Sequence, residues 1–236
     1  HFTGEIFIDG KKVDIRSPKD AQDLGIQIVY QEVDTALIPY LTVGENIMLN
    51  ETVNDMGKAQ FVKWKVIHKR ATEILESMNI NVSSKTLVSE LTLAEKQMVL
   101  IARSVSKQCK FLILDEPTAP LSHSETKELF RIVRDLIKKD VGIIFISHRL
   151  PELFEICEEI TVMKNGEFVI KEKIAETSQN KVVEYMLGEK LEEQFPKYHG
   201  EIGENVLTVE GLHDTGLVKN FSMHVNEGEI VGIAGL

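Results

Sequence analysis

The order of hydrophobic and polar positions along the chain predicts buried strands alternating with helices. Phe111–Leu114 is four consecutive apolar residues, and a second apolar run spans Gly142–Ile146. Continuous apolar runs of this length are typical of strands covered on both faces, as in the parallel sheets of α/β proteins. Ile26–Tyr30 is predicted to be a third short buried strand. The fold class is therefore predicted to be α/β with a mainly parallel sheet.

Apolar residues spaced three or four positions apart predict helices between these strands. The spacing is helical over Trp64–Met78 and over Leu93–Val105. Ser122 and Glu125 form a capping-box pattern that opens a helix to about Lys139. Shorter helices are predicted after the Ser17 cap as far as Gly25, over Thr42–Leu49, over Pro151–Cys157 and over Ser178–Leu187.

Turn residues predict two hairpins and divide the chain into domains. Asp9-Gly10 joins the alternating stretch from Glu5 to a strand at Val13–Ile15, and Asn165-Gly166 joins Ile160–Met163 to Phe168–Ile170. Residues 1–188 are predicted to form one domain with a helical part at about 50–105, and residues 189–204 a polar linker. Residues 205–236 contain three strand-like pieces, Val206–Glu210, Val218–Val225 and Glu229–Ala234.

Composition and charge narrow the classes of protein. The 236 residues carry 27 Lys and Arg against 37 Asp and Glu, a net charge of -10, which argues against binding to nucleic acid. The longest apolar run, Val141–Ile146, is far shorter than the ~20 residues of a membrane-spanning helix. Cys109 and Cys157 have neither metal-site spacing nor the number needed for a disulfide framework, so a reducing cytosolic setting is expected.

Polar residues that suit phosphate chemistry follow the three predicted parallel strands. Asp115 and Glu116 follow one strand, His148 follows the next, and Gln31 follows Ile26–Tyr30. Ligands of α/β proteins bind at the carboxyl edge of such a sheet. There an Asp can hold Mg²⁺, a Glu can orient or deprotonate a water, and a His or Gln can reach a phosphate. Taken singly, each residue also fits a structural role: a polar turn, a structural His or a solvated loop Gln.

The order and spacing of these elements resemble those of the ATP-binding-cassette (ABC) ATPases. The matching positions are Gln31 for the Q-loop, Leu91, Thr92, Leu93, Ala94 and Glu95 for the signature, Asp115 and Glu116 for the Walker B acids, Ala119, Pro120, Leu121 and Ser122 for the D-loop, and His148 for the switch histidine. The resemblance implies that ATP lies between two cassettes. It also implies that Asp115 and Gln31 hold Mg²⁺, that Glu116 polarises the attacking water, and that His148 and Gln31 sense the γ-phosphate.

Further stretches resemble the first cassette of the tandem ATPase subunits of monosaccharide importers, of the ribose and galactose/methyl-galactoside type. They include Ser147–Leu150, Met186–Gly188, Leu191–Pro196 and Gly228–Leu236. This resemblance implies a second cassette in the same polypeptide, transmembrane permease subunits and a periplasmic or lipid-anchored sugar-binding protein. The expected location is the cytoplasmic face of the cell membrane. Tyr40–Leu49 and the Trp64–Met78 helix lie where this family contacts its permease, although their apolar residues also fit a core.

One motif of the family has no counterpart in these 236 residues. No stretch fits Gly-x-x-x-x-Gly-Lys-[Ser/Thr], whose backbone N–H groups and Lys hold the phosphates. The chain is therefore expected to be a fragment that neither binds ATP tightly nor hydrolyses it, with no ATP or Mg²⁺ bound. Residues Val206–Ala234 resemble the opening strands of a second cassette. They are expected to fill the vacancy left by the missing strands of the first, within one chain or by exchange in a homodimer.

The signature departs from the family pattern, and two rival interpretations stay open. Leu93 and Ala94 replace two glycines and Glu95 replaces a Gln, so Leu93 would crowd a phosphate and Glu95 would add negative charge near it. The first rival is a non-transport ABC ATPase acting on ribosomes or DNA, which usually has a basic surface or a long helical insertion. The second is a non-enzymatic interaction fragment.

Overall fold

The computed structural model describes residues 3–49, 63–106, 109–188, 202–216 and 218–233, and the chain divides into two compact units, 1–186 and 187–236. In chain order the elements up to residue 187 are β1 (Ile6–Ile8), β2 (Lys11–Val13), α1 (Pro18–Asp23), β3 (Ile26–Val29), α2 (Val33–Ala36), α3 (Val43–Ile47), α4 (Trp64–Ser77), α5 (Leu93–Val105), β4 (Phe111–Asp115), α6 (His123–Ile137), β5 (Gly142–Ile146), α7 (Leu150–Ile156), β6 (Glu159–Lys164), β7 (Glu167–Lys173) and α8 (Gln179–Leu187). Short 3₁₀ turns lie at Val88–Glu90 and Ile174–Glu176.

The central sheet consists of three parallel strands in the order β3-β4-β5. The register pairs Val29 with Leu114 across the first ladder and Asp115 with Ile146 across the second. Helices α5 and α6 lie in the crossover connections that parallel strands require. The α/β class with a parallel sheet is therefore confirmed, and all three strands end at the same edge.

The two faces of this sheet differ in exposure. Val29 and Leu114 are neighbours in one row of side chains and are 2% and 0% exposed. The adjacent row on the other face is Ile28, Ile113 and Ile144, in which Ile28 is 38% and Ile144 is 51% exposed. Helix α5 contacts β3 and helix α6 contacts β5, which buries the first row. The prediction that β5 is a buried strand is therefore wrong at Ile144, whereas Phe111 and Ile113 of β4, on the same face, are half-buried.

The large core of the first unit is formed by this buried sheet face and helices α3 to α6. Phe130 of α6 is 1% exposed and its ring meets that of Phe145 edge to face, with 6.0 Å between the ring centroids. A smaller cluster lies between α7, β6 and α8, around Leu153 and Val182. The helices begin largely where predicted, because Ser17 and Ser122 both complete capping boxes.

Both predicted hairpins are present, with one correction. Asp9 and Gly10 have φ of 51° and 72°, the left-handed backbone that two-residue hairpin turns require. Because this turn places Lys11 opposite Ile8, β2 starts directly after Gly10, and the predicted strand at Val13–Ile15 is wrong. The Asn165-Gly166 turn joins β6 to β7 as predicted.

The second unit contains an antiparallel pair, β8 (Asn205–Leu212) and β9 (Phe221–Asn226). The third predicted strand, Glu229–Ala234, is wrong for its described residues 229–233, which are not in a strand. A strand needs a paired neighbour, and β8 and β9 pair with each other. The predicted polar linker falls mostly on residues outside the described ranges. The exchange of tail strands between two chains stays a prediction.

No helix within the described ranges is both long enough and apolar enough to cross a membrane.

Candidate functional site

The four polar residues predicted for phosphate chemistry lie at the carboxyl edge of the central sheet. Asp115 ends β4 and Glu116 follows it, His148 lies two residues after β5, and Gln31 lies two residues after β3. The last pair of the β3–β4 ladder is Val29 and Leu114. Two residues further along, Gln31 therefore lies level with Glu116. Because adjacent strands lie roughly 5 Å apart, all four positions fall within a narrow stretch of one edge.

Glu116 and His148 are in direct contact. His148 Nδ1 lies 2.8 Å from Glu116 Oε1, and the His148 backbone N–H donates to the same oxygen at 3.1 Å. A carboxylate oxygen accepts hydrogen bonds, so Nδ1 is the ring nitrogen that carries the hydrogen in this contact. The Glu116 N–H donates to Ile146 O at 2.9 Å, which ties the two loops together at the backbone as well.

Glu116 has an uncommon backbone conformation for a residue with a side chain. Its φ of 47° lies in the left-handed region, which costs free energy in residues other than glycine. The contacts to Ile146 and His148 hold it there. The conformation aims the carboxylate along the sheet edge toward β5.

The carboxylates at this edge suit a magnesium ion and an ordered water. Glu116 Oε2 is buried and has no hydrogen-bond partner among the described residues, so this oxygen has unused capacity to accept a hydrogen bond. Asp115 is half-buried beside it. No group of three or more His, Cys, Asp or Glu within the described ranges could hold a metal by itself. Mg²⁺ is usually held by one or two carboxylates with waters and substrate phosphates, and the Gln31 amide offers one further oxygen.

A cavity of about 410 Å³ brings three of the predicted motifs together. Gln31, Leu93, Ala119 and Pro120 line it, together with the residues from Glu32 to Thr35. The remaining D-loop residues have structural roles, since Leu121 is buried and Ser122 caps α6. One surface is thus formed by the edge of the sheet, the start of α5 and the turn after β4.

The start of α5 is capped by the chain itself. The Glu95 N–H donates to Thr92 Oγ1 at 3.2 Å, and Glu95 Oε2 accepts from the Thr92 N–H at 2.8 Å and from its hydroxyl at 3.0 Å. Leu91 and Ala94 are buried, while Leu93 is 46% exposed. The Glu95 carboxyl group therefore lies at the helix N-terminus, at the position expected from the sequence. Its carboxylate already accepts the Thr92 N–H and lies at the positive end of the helix dipole, where an outside anion would bind.

The stretch after Gln31 is fastened to α5 by two basic side chains. Lys96 Nζ lies 2.7 Å from Asp34 Oδ1, and Arg103 Nη1 donates to Ala36 O at 2.8 Å. These contacts connect residues more than 60 positions apart in the sequence. A displacement near Gln31 is therefore expected to move the start of α5 with it.

Sequence reasoning missed a hydrogen-bonded pair next to the site, Thr118 and Glu152. Thr118 is fully buried and its hydroxyl donates to Glu152 Oε2 at 2.5 Å. Arg149 Nη1 donates to Glu152 Oε1 at 3.0 Å. The one local sign in the sequence was a Thr two residues after the two acids, between Pro117 and Ala119.

The family model described as ABC transporter matches residues 2–119, half of the chain. The curated protein "Ribose import ATP-binding protein RbsA 1" of Rubrobacter xylanophilus is 43% identical over 233 residues, which is 99% of this chain and 46% of that protein. The chain thus spans about half the length of this curated relative.

Solved structures share the fold. The ADP conformation of MJ1267, an ATP-binding cassette of an ABC transporter, superposes with a TM-score of 0.65 at 23% identity, covering 79% of this chain and 78% of that one. The structure of cbiO1 from Clostridium perfringens, part of the ABC transporter complex cbiONQ, gives a TM-score of 0.61 at 26% identity, covering 74% of this chain and 67% of that one.

Proposed function

Because the chain belongs to the ABC transporter family, we propose that it is the first nucleotide-binding domain of an ATPase subunit that powers monosaccharide import, of the ribose type. The observation that carries the proposal is the Glu116–His148 contact at the carboxyl edge of a parallel sheet, with the second Glu116 oxygen left without a partner among the described residues. The identity to a ribose import protein supports the choice of sugar class.

The proposed reaction is hydrolysis of ATP to ADP and phosphate. Glu116 Oε2 accepts a proton from the attacking water as the water oxygen bonds to the γ-phosphorus and the bond to the β-phosphate oxygen breaks. His148 holds Glu116 through Nδ1, which leaves Nε2 of its 71% exposed side chain to face the γ-phosphate. Mg²⁺, when bound, neutralises phosphate charge, and Asp115 and Gln31 would hold it.

The partners follow from the same proposal. The chain works with a second cassette of the same polypeptide, with transmembrane permease subunits and with a periplasmic or lipid-anchored sugar-binding protein. It acts at the cytoplasmic face of the membrane. ATP binds between the two cassettes, and Gln31 transmits its presence to α5 through the Lys96 and Arg103 contacts.

The first test compares this chain with the full-length protein that contains it. No stretch of the 236 residues fits the phosphate-binding loop, so we expect the purified chain to release no phosphate from ATP above a blank. The full-length protein, reconstituted with its permease and binding protein, is expected to hydrolyse ATP and to import ribose. Both are measured by steady-state phosphate release and by uptake of labelled sugar.

Three results would contradict the proposal. ATP turnover by the purified chain would show that the loop is dispensable. Sugar uptake that does not depend on ATP would show that ATP hydrolysis by this protein does not power the transport. Stimulation of turnover by ribosomes or DNA, with none by the permease, would favour the non-transport ABC ATPase.

A second test concerns the permease contact. Trp64 is 51% exposed on α4, in the helix that resembles the permease-facing part of the family, and exposed aromatic residues are frequent binding anchors. We expect Trp64→Ala in the full-length protein to weaken permease binding by about tenfold or more. The matched control is Phe168→Ala, because Phe168 is a 66% exposed aromatic residue on β7. Equal losses in both variants, measured by pull-down titration, would disprove the anchor.

A further inference from the structure

A partly buried hydrogen-bond network joins the loop after β4 to the loop after β5. Thr118, with no exposed surface, donates to Glu152 Oε2 at 2.5 Å from the first loop. Arg149 donates to Glu152 Oε1 at 3.0 Å from the second. The Glu152 side chain is 14% exposed and both of its oxygens have partners. This carboxylate therefore fixes the two loops to each other and to α7.

The network is adjacent in sequence to both partners of the Glu116–His148 contact. Thr118 is two residues after Glu116, and Arg149 is the residue after His148. Glu116 has a strained φ of 47°, which persists only when its surroundings hold it. The turn that carries Thr118 is also closed by the Ala119 N–H, which donates to Glu116 O at 3.2 Å. Any movement of Thr118 is thus passed to Glu116 within one turn of backbone.

We propose that Thr118 and Glu152 are positioning residues that hold the Glu116 carboxylate against His148. Loss of the Thr118 hydroxyl leaves Glu152 Oε2, in a side chain only 14% exposed, without its partner, a state that the loops relieve by moving apart. Displacement of a reacting group by about 1 Å can lower a rate up to a hundredfold. The effect on turnover rests on the proposed function, whereas the effect on the contact itself does not.

The first experiment observes the contact in this chain without nucleotide. Long-range ¹H–¹⁵N spectra report which nitrogen of the His148 ring carries hydrogen, and His148→Gln identifies the signal. In the unmodified chain we expect hydrogen on Nδ1, because Glu116 Oε1 accepts it at 2.8 Å. Thr118→Val is expected to shift the signal toward the Nε2–H tautomer, and Thr118→Ser, which keeps the hydroxyl, to restore it.

The second experiment measures turnover in the full-length protein. We expect Thr118→Val and Glu152→Ala to lower kcat on the order of tenfold or more while KM for ATP changes by less than about twofold. The matched control is Glu155→Ala on the same helix, whose carboxylate pairs with Arg134 at 3.4 Å and does not join the two loops. Rates are taken below the melting temperature of each variant.

The outcomes separate the inference from the proposed function. If the His148 signal is the same in Thr118→Val as in the unmodified chain, or if Glu155→Ala lowers kcat as much as Glu152→Ala, the inference is overturned. Should Thr118→Val fail to fold, the spectrum of Glu152→Ala gives the same decision. If the full-length protein has no ATPase activity at all, the proposed function fails, while the spectra still decide whether Thr118 and Glu152 position the pair.

Discussion

Glu116→Gln in the full-length protein is expected to lose nearly all ATP turnover and to keep ATP binding. General-base catalysis typically contributes about 10²- to 10⁴-fold, and a fall in kcat of that size is the expected result. The amide keeps the size of the side chain and an oxygen that can still accept from the His148 N–H, now at 3.1 Å. It offers no carboxylate to take the proton from water. Phosphate release gives kcat, and equilibrium titration gives ATP affinity.

The control for this variant is another Glu→Gln change in an ion pair remote from the sheet edge. Glu159 lies on β6 and its carboxylate is 2.7 Å from Lys171 Nζ, so Glu159→Gln tests loss of charge without loss of the base. Its kcat is expected to stay within about twofold of the parent value. If Glu116→Gln keeps a third or more of the parent turnover, Glu116 is not the general base.

The location of the candidate site could be predicted from the sequence because its signals are local. An apolar run followed at once by Asp115-Glu116, and another followed by His148, specify strands with polar ends. The parallel crossover then brings the ends of the strands to one edge. The observed register, with Asp115 opposite Ile146, agrees with that reasoning.

The Thr118–Glu152 hydrogen bond could not be predicted, because it joins residues that are distant in the sequence. Thr118 and Glu152 are 34 positions apart, and the local sequence around either residue does not indicate contact with the other. Glu95 is a different case. Its capping box with Thr92 is a local Thr-x-x-Glu pattern, so the role it has in the structure could have been predicted beside its charge.

The predicted burial of the sheet was wrong on one face, and the reason is physical. The apolar character of a strand indicates that the strand is buried when all of its neighbours are present. It does not identify those neighbours. In the described residues, the Val29–Leu114 row is covered by helices while Ile28 and Ile144 are exposed. The same reasoning applies to Glu229–Ile233, where a strand pattern pairs with no strand of the described residues.

The difference between the two sheet faces leads to the largest stability effect expected for this chain. Leu114→Ala removes a fully buried side chain from the core and is expected to lower the free energy of unfolding of the first unit by about 3 kcal/mol. Ile144→Ala removes a side chain of the same size on the neighbouring strand, one row away and 51% exposed. It is expected to cost about 1 kcal/mol or less.

Urea titration of the 236-residue chain measures both values. The single tryptophan, Trp64, lies on α4 in the first unit, so its fluorescence follows the unfolding of that unit, and far-UV circular dichroism follows the whole chain. Because Leu114 and Ile144 belong to opposite faces of one sheet, the comparison holds side-chain size constant and varies burial, and the greater strand preference of the β-branched Ile would raise the cost of Ile144→Ala. Equal costs for the two variants would mean that the Ile28–Ile113–Ile144 face is covered in solution, and the one-sided sheet described above would be wrong.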